Sequence, residues 1–566
     1  MGIVGTGTGN EPTDREGETR GAGVRGRALS RIGVKSAMAL GYASTLVSTQ
    51  AAGQYLPYGS TTFGGYGGYG GYPATTAFPQ GGPTTYVVPA ISIVETYTNN
   101  ATLGPSGSTT SSFVTSVTPS ISFNVIRARA QLTGSAAVGF QQYLGNYTAG
   151  YIYPQANILG RIEAVERFFF IEGAISINQT YISPFGPQPA GNIGVTNNRY
   201  TSYAYRLSPY IQGVFPGGVT YFVRNDNIWS NLSGTTSGTP GFAGSYVTQW
   251  LGRLDSPIRT FGWTLEGISS YTKFGNQSQG LSNQIVRAFL RWRPDPQLRL
   301  DAIGGYEWNN YFRESANVVY GAGGEWRPTD RTTVAGQWEE RFFGSSYFAR
   351  FDHRNPYTAF NINASRNITT YPQQLFAAPA GGNVAALVNN SLMTRIPDPA
   401  QRAAAVQDFL TATGLPAVLT GPLNYYVQQV ILYEQQSATF TILGLRNSLA
   451  FTVFHLKQQV IGGGTGAPLP APFGAFTNST QKGGAISYSH RITGLTSFNA
   501  TATRVESTAL APFTGQSTST YFSASVNTQL SPKTTGFTGL SYSIFDSNVT
   551  NDYTTFTAFV GLNHRF

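Results

Sequence analysis

The residues of this 566-residue chain that could do chemistry are charged side chains that alternate with apolar ones. They fall on one face of successive period-two segments, at Arg287, Arg291, Arg299, Asp301, Glu307, Glu325, Glu339, Arg341, Arg350 and Asp352. If these side chains line a lumen, a wall with both signs of charge can hydrogen-bond a hydrated, weakly charged polymer. It can equally form a self-neutralising lattice of ion pairs that braces the wall, and the sequence leaves both interpretations open.

Side chains that would support covalent or metal chemistry are sparse. The four histidines are His353, His455, His490 and His564, and they form no H-E-x-x-H pair. The chain has neither a G-x-x-x-x-G-K-[ST] phosphate loop nor a G-x-S-x-G elbow. We therefore predict no enzyme activity, no catalytic residue, no cofactor and no metal ligand. The net charge of +10 is spread along the chain, which argues against nucleic acid as a partner.

The elements that position these charges are predicted β-strands, because apolar and polar residues alternate with period two. In residues 297–308, Leu300 and Trp308 lie on one face, whereas Arg299 and Asp301 lie on the other. One face suits lipid and the other suits water. The final segment alternates in the same way and ends in Phe566.

Composition favours a membrane barrel over helical domains. Only 11% of the residues are charged, Gly numbers 67, and no apolar run approaches the roughly 18 to 20 residues of a spanning helix. A spanning chain without such helices must close into a barrel. We predict an all-β fold, a transmembrane antiparallel up-and-down β-barrel of about 22 strands, within about four.

Tryptophan positions are consistent with this fold. Girdles of aromatic residues at the two membrane interfaces would use tryptophans at strand ends, and all seven lie within or beside predicted strands, at Trp229, Trp250, Trp263, Trp292, Trp308, Trp326 and Trp338. Packing in a soluble β protein is the alternative, since period two does not distinguish the two environments. The predicted signal peptide and the asymmetry of the loops favour the membrane.

The chain divides into three predicted regions. Residues 1–52 read as a signal peptide with a long polar N-region, the alternative being a disordered arm. Residues 53–89 read as a disordered Gly/Tyr-rich tether, and residues 90–566 as the barrel. The absence of cysteine fits passage through an oxidising periplasm. We expect the bacterial outer membrane as the location and its lipid as a partner.

Predicted connections alternate between tight turns, such as Pro532-Lys533, and long loops, with the tight turns facing the periplasm. The longest loop, residues 371–428, contains a predicted helix over residues 398–413, with Asp398 as N-cap and Val406, Phe409 and Leu410 as an apolar stripe. This helix either folds into the pore as a gate or plug or covers the outer surface as a cap.

Several stretches resemble one family, the outer-membrane proteins associated with the PEP-CTERM/exosortase sorting system. They are residues 91–100 (ISIVETYTNN), 179–186 (QTYISPFG), 341–344 (RFFG), 396–402 (IPDPAQR) and 414–416 (GLP). The resemblance covers the chain from about residue 90 and implies a barrel linked to exopolysaccharide export. It supplies no catalytic or ligand residues. A terminal strand that ends in an aromatic residue also resembles the signal read by barrel-assembly machinery, which we expect as a partner.

These observations predict a channel or assembly component for exopolysaccharide export, with the polymer and export-system proteins as further partners. A general or substrate-specific porin is one alternative. The other is a surface-anchored structural or binding barrel whose lumen is closed.

Overall fold

The computed structural model describes residues 85–189, 192–234, 242–257, 260–275, 279–311, 315–376, 382–397, 399–413, 415–419, 425–462, 478–511 and 514–566. The predicted signal peptide and nearly all of the predicted tether lie outside these ranges. Within them, no helix is both long and apolar enough to cross a membrane.

The described ranges form twenty-two strands in one sheet. The first eleven are β1 Tyr86–Thr98, β2 Ser112–Ile126, β3 Ala130–Gly145, β4 Ala149–Val165, β5 Phe169–Tyr181, β6 Arg199–Val214, β7 Thr220–Gly234, β8 Phe242–Asp255, β9 Phe261–Phe274, β10 Leu281–Asp295 and β11 Leu298–Asn309. The others are β12 Ser315–Thr329, β13 Thr332–Arg341, β14 Gly344–Arg354, β15 Thr358–Thr369, β16 Val430–Leu443, β17 Asn447–Gly462, β18 Ser479–Arg491, β19 Thr496–Ala509, β20 Gln516–Ser531, β21 Thr534–Ser547 and β22 Tyr553–Arg565.

Each strand pairs antiparallel with its neighbours in the chain, and the last strand pairs with the first. In this closing pair, Ala90 lies opposite Arg565 and Thr98 opposite Thr557. The Phe566 amide donates to the Pro89 carbonyl at 3.0 Å. The fold is therefore the predicted closed antiparallel barrel, with the predicted number of strands.

The two ends of the barrel differ in their connections. We call the end that carries the start of β1 and Phe566 the turn end, where connections have two to five residues. The opposite loop end carries the long connections, residues 182–198, 370–429 and 463–478 among them. The predicted alternation is not strict, because the loop end also has short connections, at residues 146–148 and 342–343.

The outer face of the barrel is apolar and exposed, whereas the inner face is largely buried. All seven tryptophans point outward and are 41–50% exposed. They alternate with the inner-face charges on β7–β13, as the period-two pattern predicts. Five of the seven lie within three residues of a strand end, where an interfacial girdle requires them.

Two predicted boundaries need correction. Strand β1 begins at Tyr86, so residues 86–89 belong to the barrel and not to the tether, because Tyr86 pairs with Asn124 in the ladder with β2. The long loop holds three helices where one was predicted: α1 Tyr371–Gln374, α2 Val384–Leu392 and α3 Pro399–Thr413. Helix α1 begins at a capping box formed by Thr370 and Gln373, and α2 begins at Asn383, whose side chain accepts from the Ala386 amide.

Candidate functional site: the barrel interior

Ion pairs line the inner wall from β5 to β14. At mid-wall, Arg287 lies between Glu266 and Glu339, with Nη1 at 2.9 Å from a Glu339 carboxylate oxygen and a side chain that is fully buried. Toward the turn end, Arg291 contacts Asp255 at 3.0 Å. Buried charges are stable only when paired.

The structure places all ten predicted lumen-lining residues on this inner wall, each in an ion pair. Asp301 lies between Arg291 and Arg299, at 3.4 and 3.3 Å, and Arg299 also reaches Glu325 at 3.3 Å. At the loop end, Arg341 donates from Nε to Glu307 at 3.0 Å. Arg350 and Asp352 pair with each other. These contacts are those of the bracing lattice, the second of the two sequence interpretations.

Sequence reasoning missed the part of the lattice on β5 to β9. It comprises Glu172, Arg224, Asp226, Arg253, Asp255 and Glu266. The alternation on β9 would have revealed Glu266, which follows Leu265 on the opposite face. On β7, polar Asn225 and Asn227 flank Asp226, so period two gives no signal there.

The long loop folds into the barrel and forms a plug with an apolar core of its own. We call residues 382–419 the plug. Val384 and Val388 from α2 pack against Val406 and Leu410 from α3, with Leu415, Ala417 and Leu419 completing the cluster. This cluster contacts the inner wall at Ala450 on β17, Ala485 on β18 and Leu443, the last residue of β16. The plug therefore touches the wall through two alanines and one leucine, whereas most of its large apolar side chains pack against each other.

The plug reaches the turn end of the barrel. Arg354, the last residue of β14, donates to the Asn390 carbonyl of α2 at 2.7 Å and to the Asp330 carbonyl of a tight turn at 2.7 Å. Arg395 lies over the ring of Tyr357, in the next turn, at 5.7 Å. Ser489 of β18 donates to the Thr413 carbonyl at the end of α3. The loop thus enters at one end of the bore and contacts the wall at the other.

Arg402 holds the two long plug helices together. It is buried, and it donates from Nε to the Asn389 side chain at 3.0 Å and from Nη1 to the Ile396 and Pro397 carbonyls at 2.8 and 2.9 Å. Arg402 lies in one of the stretches that resemble the family, but the sequence predicts no role for it. A guanidinium that satisfies several carbonyls at a bend is visible only in the fold.

The predicted gate residues lie in this plug where the structure describes them. Val406 and Leu410 are buried in its core, and Phe409 packs against it. Helix α3 covers the predicted span, but Asp398 lies outside the described residues. Burial raises the pKa of the Asp408 carboxyl on the same helix, because desolvation disfavours the charged form.

The loop also crosses the mouth at the loop end. Tyr425 pairs with Tyr181 at the end of β5, and its hydroxyl lies 2.6 Å from that of Ser479, the first residue of β18. These two strands are far apart in strand order, yet one tyrosine contacts the ends of both. Tyr371 and Tyr426 pack edge to face, with ring centroids 5.1 Å apart. This crossing therefore spans the mouth above the plug.

A second loop, residues 182–198, forms a lid beside that crossing. The Pro184 carbonyl accepts from Ser517 of β20 at 2.7 Å, and the Phe185 carbonyl accepts from Ser547 of β21 at 3.0 Å. The Gln188 amide donates to the Tyr553 hydroxyl at 3.1 Å. The lid starts at β5, so it reaches across the mouth to the strands on the far side of β1.

No protein-family model and no curated protein matches the chain. Among solved structures, it is similar to the siderophore receptor PirA from Pseudomonas aeruginosa, with 9% identity, 86% of this chain and 81% of that chain covered, and a TM-score of 0.36. It is also similar to OpdQ from Pseudomonas aeruginosa, with 11% identity, coverage of 85% and 99%, and a TM-score of 0.30. This likeness concerns the barrel fold alone and assigns no role to any residue.

The described parts of the plug lie within the bore, and the described parts of the lid lie across its mouth. The inner charges neutralise one another, so the wall presents little net field. Among the described residues, no cluster of three or more His, Asp or Glu side chains is placed to hold a metal ion. The plug and the lid are joined to the wall by hydrogen bonds, and the plug also by apolar contacts with Ala450, Ala485 and Leu443.

Proposed function

We propose that the protein is an outer-membrane channel for a hydrophilic solute, and that its plug gates it. The observation that carries the proposal is the course of the described parts of residues 370–429, which start at the loop end and contact Arg354, Tyr357 and Ser489 at the turn end. The apolar outer face supports the membrane location, because lipid accepts such a surface and water does not. In this proposal the turn end faces the periplasm.

A plug with its own core can leave the wall as a unit. Its large apolar side chains pack mostly against each other, whereas its wall contacts are Ala450, Ala485, Leu443 and single hydrogen bonds such as the Gly382 amide to the Thr439 hydroxyl at 2.8 Å. Releasing the plug from the wall separates fewer apolar side chains than unfolding the plug would, so opening should cost less than unfolding. A porin-like channel is compatible with this arrangement.

Conductance in planar bilayers tests the channel. Replacing residues 382–419 with a short Gly-Ser linker should raise single-channel conductance strongly, whereas wild type should stay mostly closed. The chain has no cysteine, so Thr413→Cys combined with Ser489→Cys gives a clean cross-linkable pair that should hold the plug closed until reduced. Equal conductance of the deletion variant and wild type would favour the structural barrel with a closed lumen.

Exopolysaccharide is the cargo that we propose on the basis of the family resemblance. The positions of the stretches that resemble the family support this proposal. Residues 179–186 lead into the lid, and residues 396–402 belong to the plug. The test compares secreted with cell-retained polysaccharide in a deletion strain, with plasmid complementation as control. Loss of polymer from the medium, restored by the plasmid, would support export. Unchanged secretion would leave a general or substrate-specific porin.

A further inference from the structure

A row of charged residues crosses the outer face of the barrel near the loop end. It runs over five adjacent strands and comprises Arg366, Glu434, Lys457, Lys482, Arg504 and Glu506. Adjacent members face each other in the strand register, Arg366 opposite Glu434, Glu434 opposite Lys457, and Lys482 opposite Glu506. We call these six residues the outer row. They lie on the face of the sheet that also carries Phe451 and Val453, each 41% exposed.

The outer row has more positive than negative charge. Arg366 contacts Glu434 at 3.6 Å, and Lys482 contacts Glu506 at 3.0 Å. Lys457 and Arg504 form no ion pair with any described residue, although Arg504 donates to the Thr520 hydroxyl at 3.2 Å. Two cations on a lipid-facing surface thus lack a protein anion. Such a charge is costly at the bilayer midplane and is tolerated at the headgroup level.

The height of the row on the wall agrees with a headgroup position. Lys457 lies ten residues along β17 from Asn447 at the turn end. With a rise of about 3.3 Å per residue and a tilt of about 40°, this is roughly 25 Å, the height of the apolar band of an outer-membrane barrel. The two-residue tip of the β13–β14 hairpin lies at the same level, since Arg366 donates to the Ser345 carbonyl beside it. The row therefore marks the upper border of the apolar band.

We propose that the outer row binds the phosphate groups of an anionic glycolipid in the outer leaflet, of the lipid A class. The inference rests on the proposed outer-membrane placement. The ligand must lie against the outside of the wall with its acyl chains on the apolar band below, and a lipid headgroup does so. Lys457 and Arg504 supply the free positive charges, and Lys482, whose side chain is 60% exposed, supplies a third donor.

The test measures binding of fluorescent bisphosphorylated lipid A to the full chain in detergent. The double variant Lys457→Gln and Arg504→Gln removes the unpaired cations without orphaning a carboxylate. It should bind about 30-fold more weakly, because each cation near an anionic headgroup contributes about 1 kcal/mol. The control double variant, Arg446→Gln and Lys533→Gln, removes the same charge from exposed residues at the turn end and should bind like wild type.

Heat-modifiable gel migration establishes that each variant is folded. Unchanged lipid A binding by the Lys457 and Arg504 double variant would overturn the proposal, as would competition by phosphatidylglycerol as effective as that by lipid A. Conductance of the plug-deleted barrel is a separate measurement. If that barrel fails to conduct while lipid A binding depends on the outer row, the channel proposal fails and the lipid proposal stands.

Discussion

Arg287 is the most deeply buried cation of the inner wall, and two carboxylates depend on it. Replacing it with methionine keeps most of the volume but leaves Glu266 and Glu339 without their shared partner. We expect Arg287→Met to lower the free energy of unfolding by about 3–5 kcal/mol, as for other broken buried ion pairs. Urea unfolding in lipid vesicles measures it. The matched control is Arg350→Met, because the Arg350 side chain is 47% exposed and should contribute less than about 1 kcal/mol.

Arg402 provides a residue-scale test of the plug. Arg402→Ala removes the charged donor to Asn389 and to the part-buried carbonyls of Ile396 and Pro397, and a hydrogen bond to a charged group contributes about 1.5–3 kcal/mol. We expect the docked plug to be destabilised, so that spontaneous channel openings become more frequent and protease cleaves the plug faster from the turn end. Arg446→Ala is the control, since Arg446 is exposed in a tight turn at the turn end and lies outside the plug. Identical opening frequencies in the two variants would contradict the role of Arg402.

At the scale of elements, helix α3 should make the plug sensitive to pH. We infer that docking supplies part of the burial that raises the pKa of Asp408, so the docked plug binds a proton more tightly than a released plug, whose aspartate lies closer to the ordinary pKa of about 3.9. The stabilising contribution of the protonated carboxyl is fully present below that ordinary value and is lost as pH rises through the raised pKa. Acidification within this window should therefore favour the closed channel.

Open probability measured over a pH series from about 4 to about 7 tests this expectation. Asp408→Asn mimics the protonated carboxyl, so it should favour closure at neutral pH and weaken the pH response. A wild-type channel that opens more readily on acidification would contradict the assignment to Asp408.

At the scale of the whole molecule, the closing pair of β1 and β22 allows two properties of the barrel to be tested separately: its assembly in cells and its stability once folded. Phe566 is 66% exposed, and its amide makes one hydrogen bond across the closure. Deleting Phe566 should change the unfolding free energy of the refolded barrel by less than about 1 kcal/mol. The amount of assembled barrel in cells should nevertheless fall sharply if the terminal aromatic residue is read by barrel-assembly machinery. Heat-modifiable migration in membranes and urea unfolding of refolded protein measure the two quantities.

Unchanged assembly in cells after deletion of Phe566 would contradict this prediction. The terminal residue would then not be the assembly signal, and the interpretation of the last strand as such a signal would be wrong. Phe556→Ala is a suitable companion variant, because it lies on the same outer face of β22 but away from the end of the chain.

Period-two alternation determined the fold class and the orientation of individual residues. The face on which a strand residue points depends only on its position relative to its neighbours, so Trp308 could be assigned outward and Arg299 inward from local pattern alone. Helix α3 was predictable for a similar reason, since its end signals and apolar stripe are local. Where alternation is interrupted, as around Asp226, the local signal failed and the residue was missed.

Only the tertiary structure decided how these residues are combined. The partners of Arg287 depend on strand register, which brings together residues from β9, β10 and β13. Whether the long loop folds inward depends on contacts between distant positions, such as Thr413 with Ser489 and Tyr425 with Ser479. The same helix sequence could cover the outer surface or fill the bore, because its apolar stripe needs an apolar partner but does not specify which one.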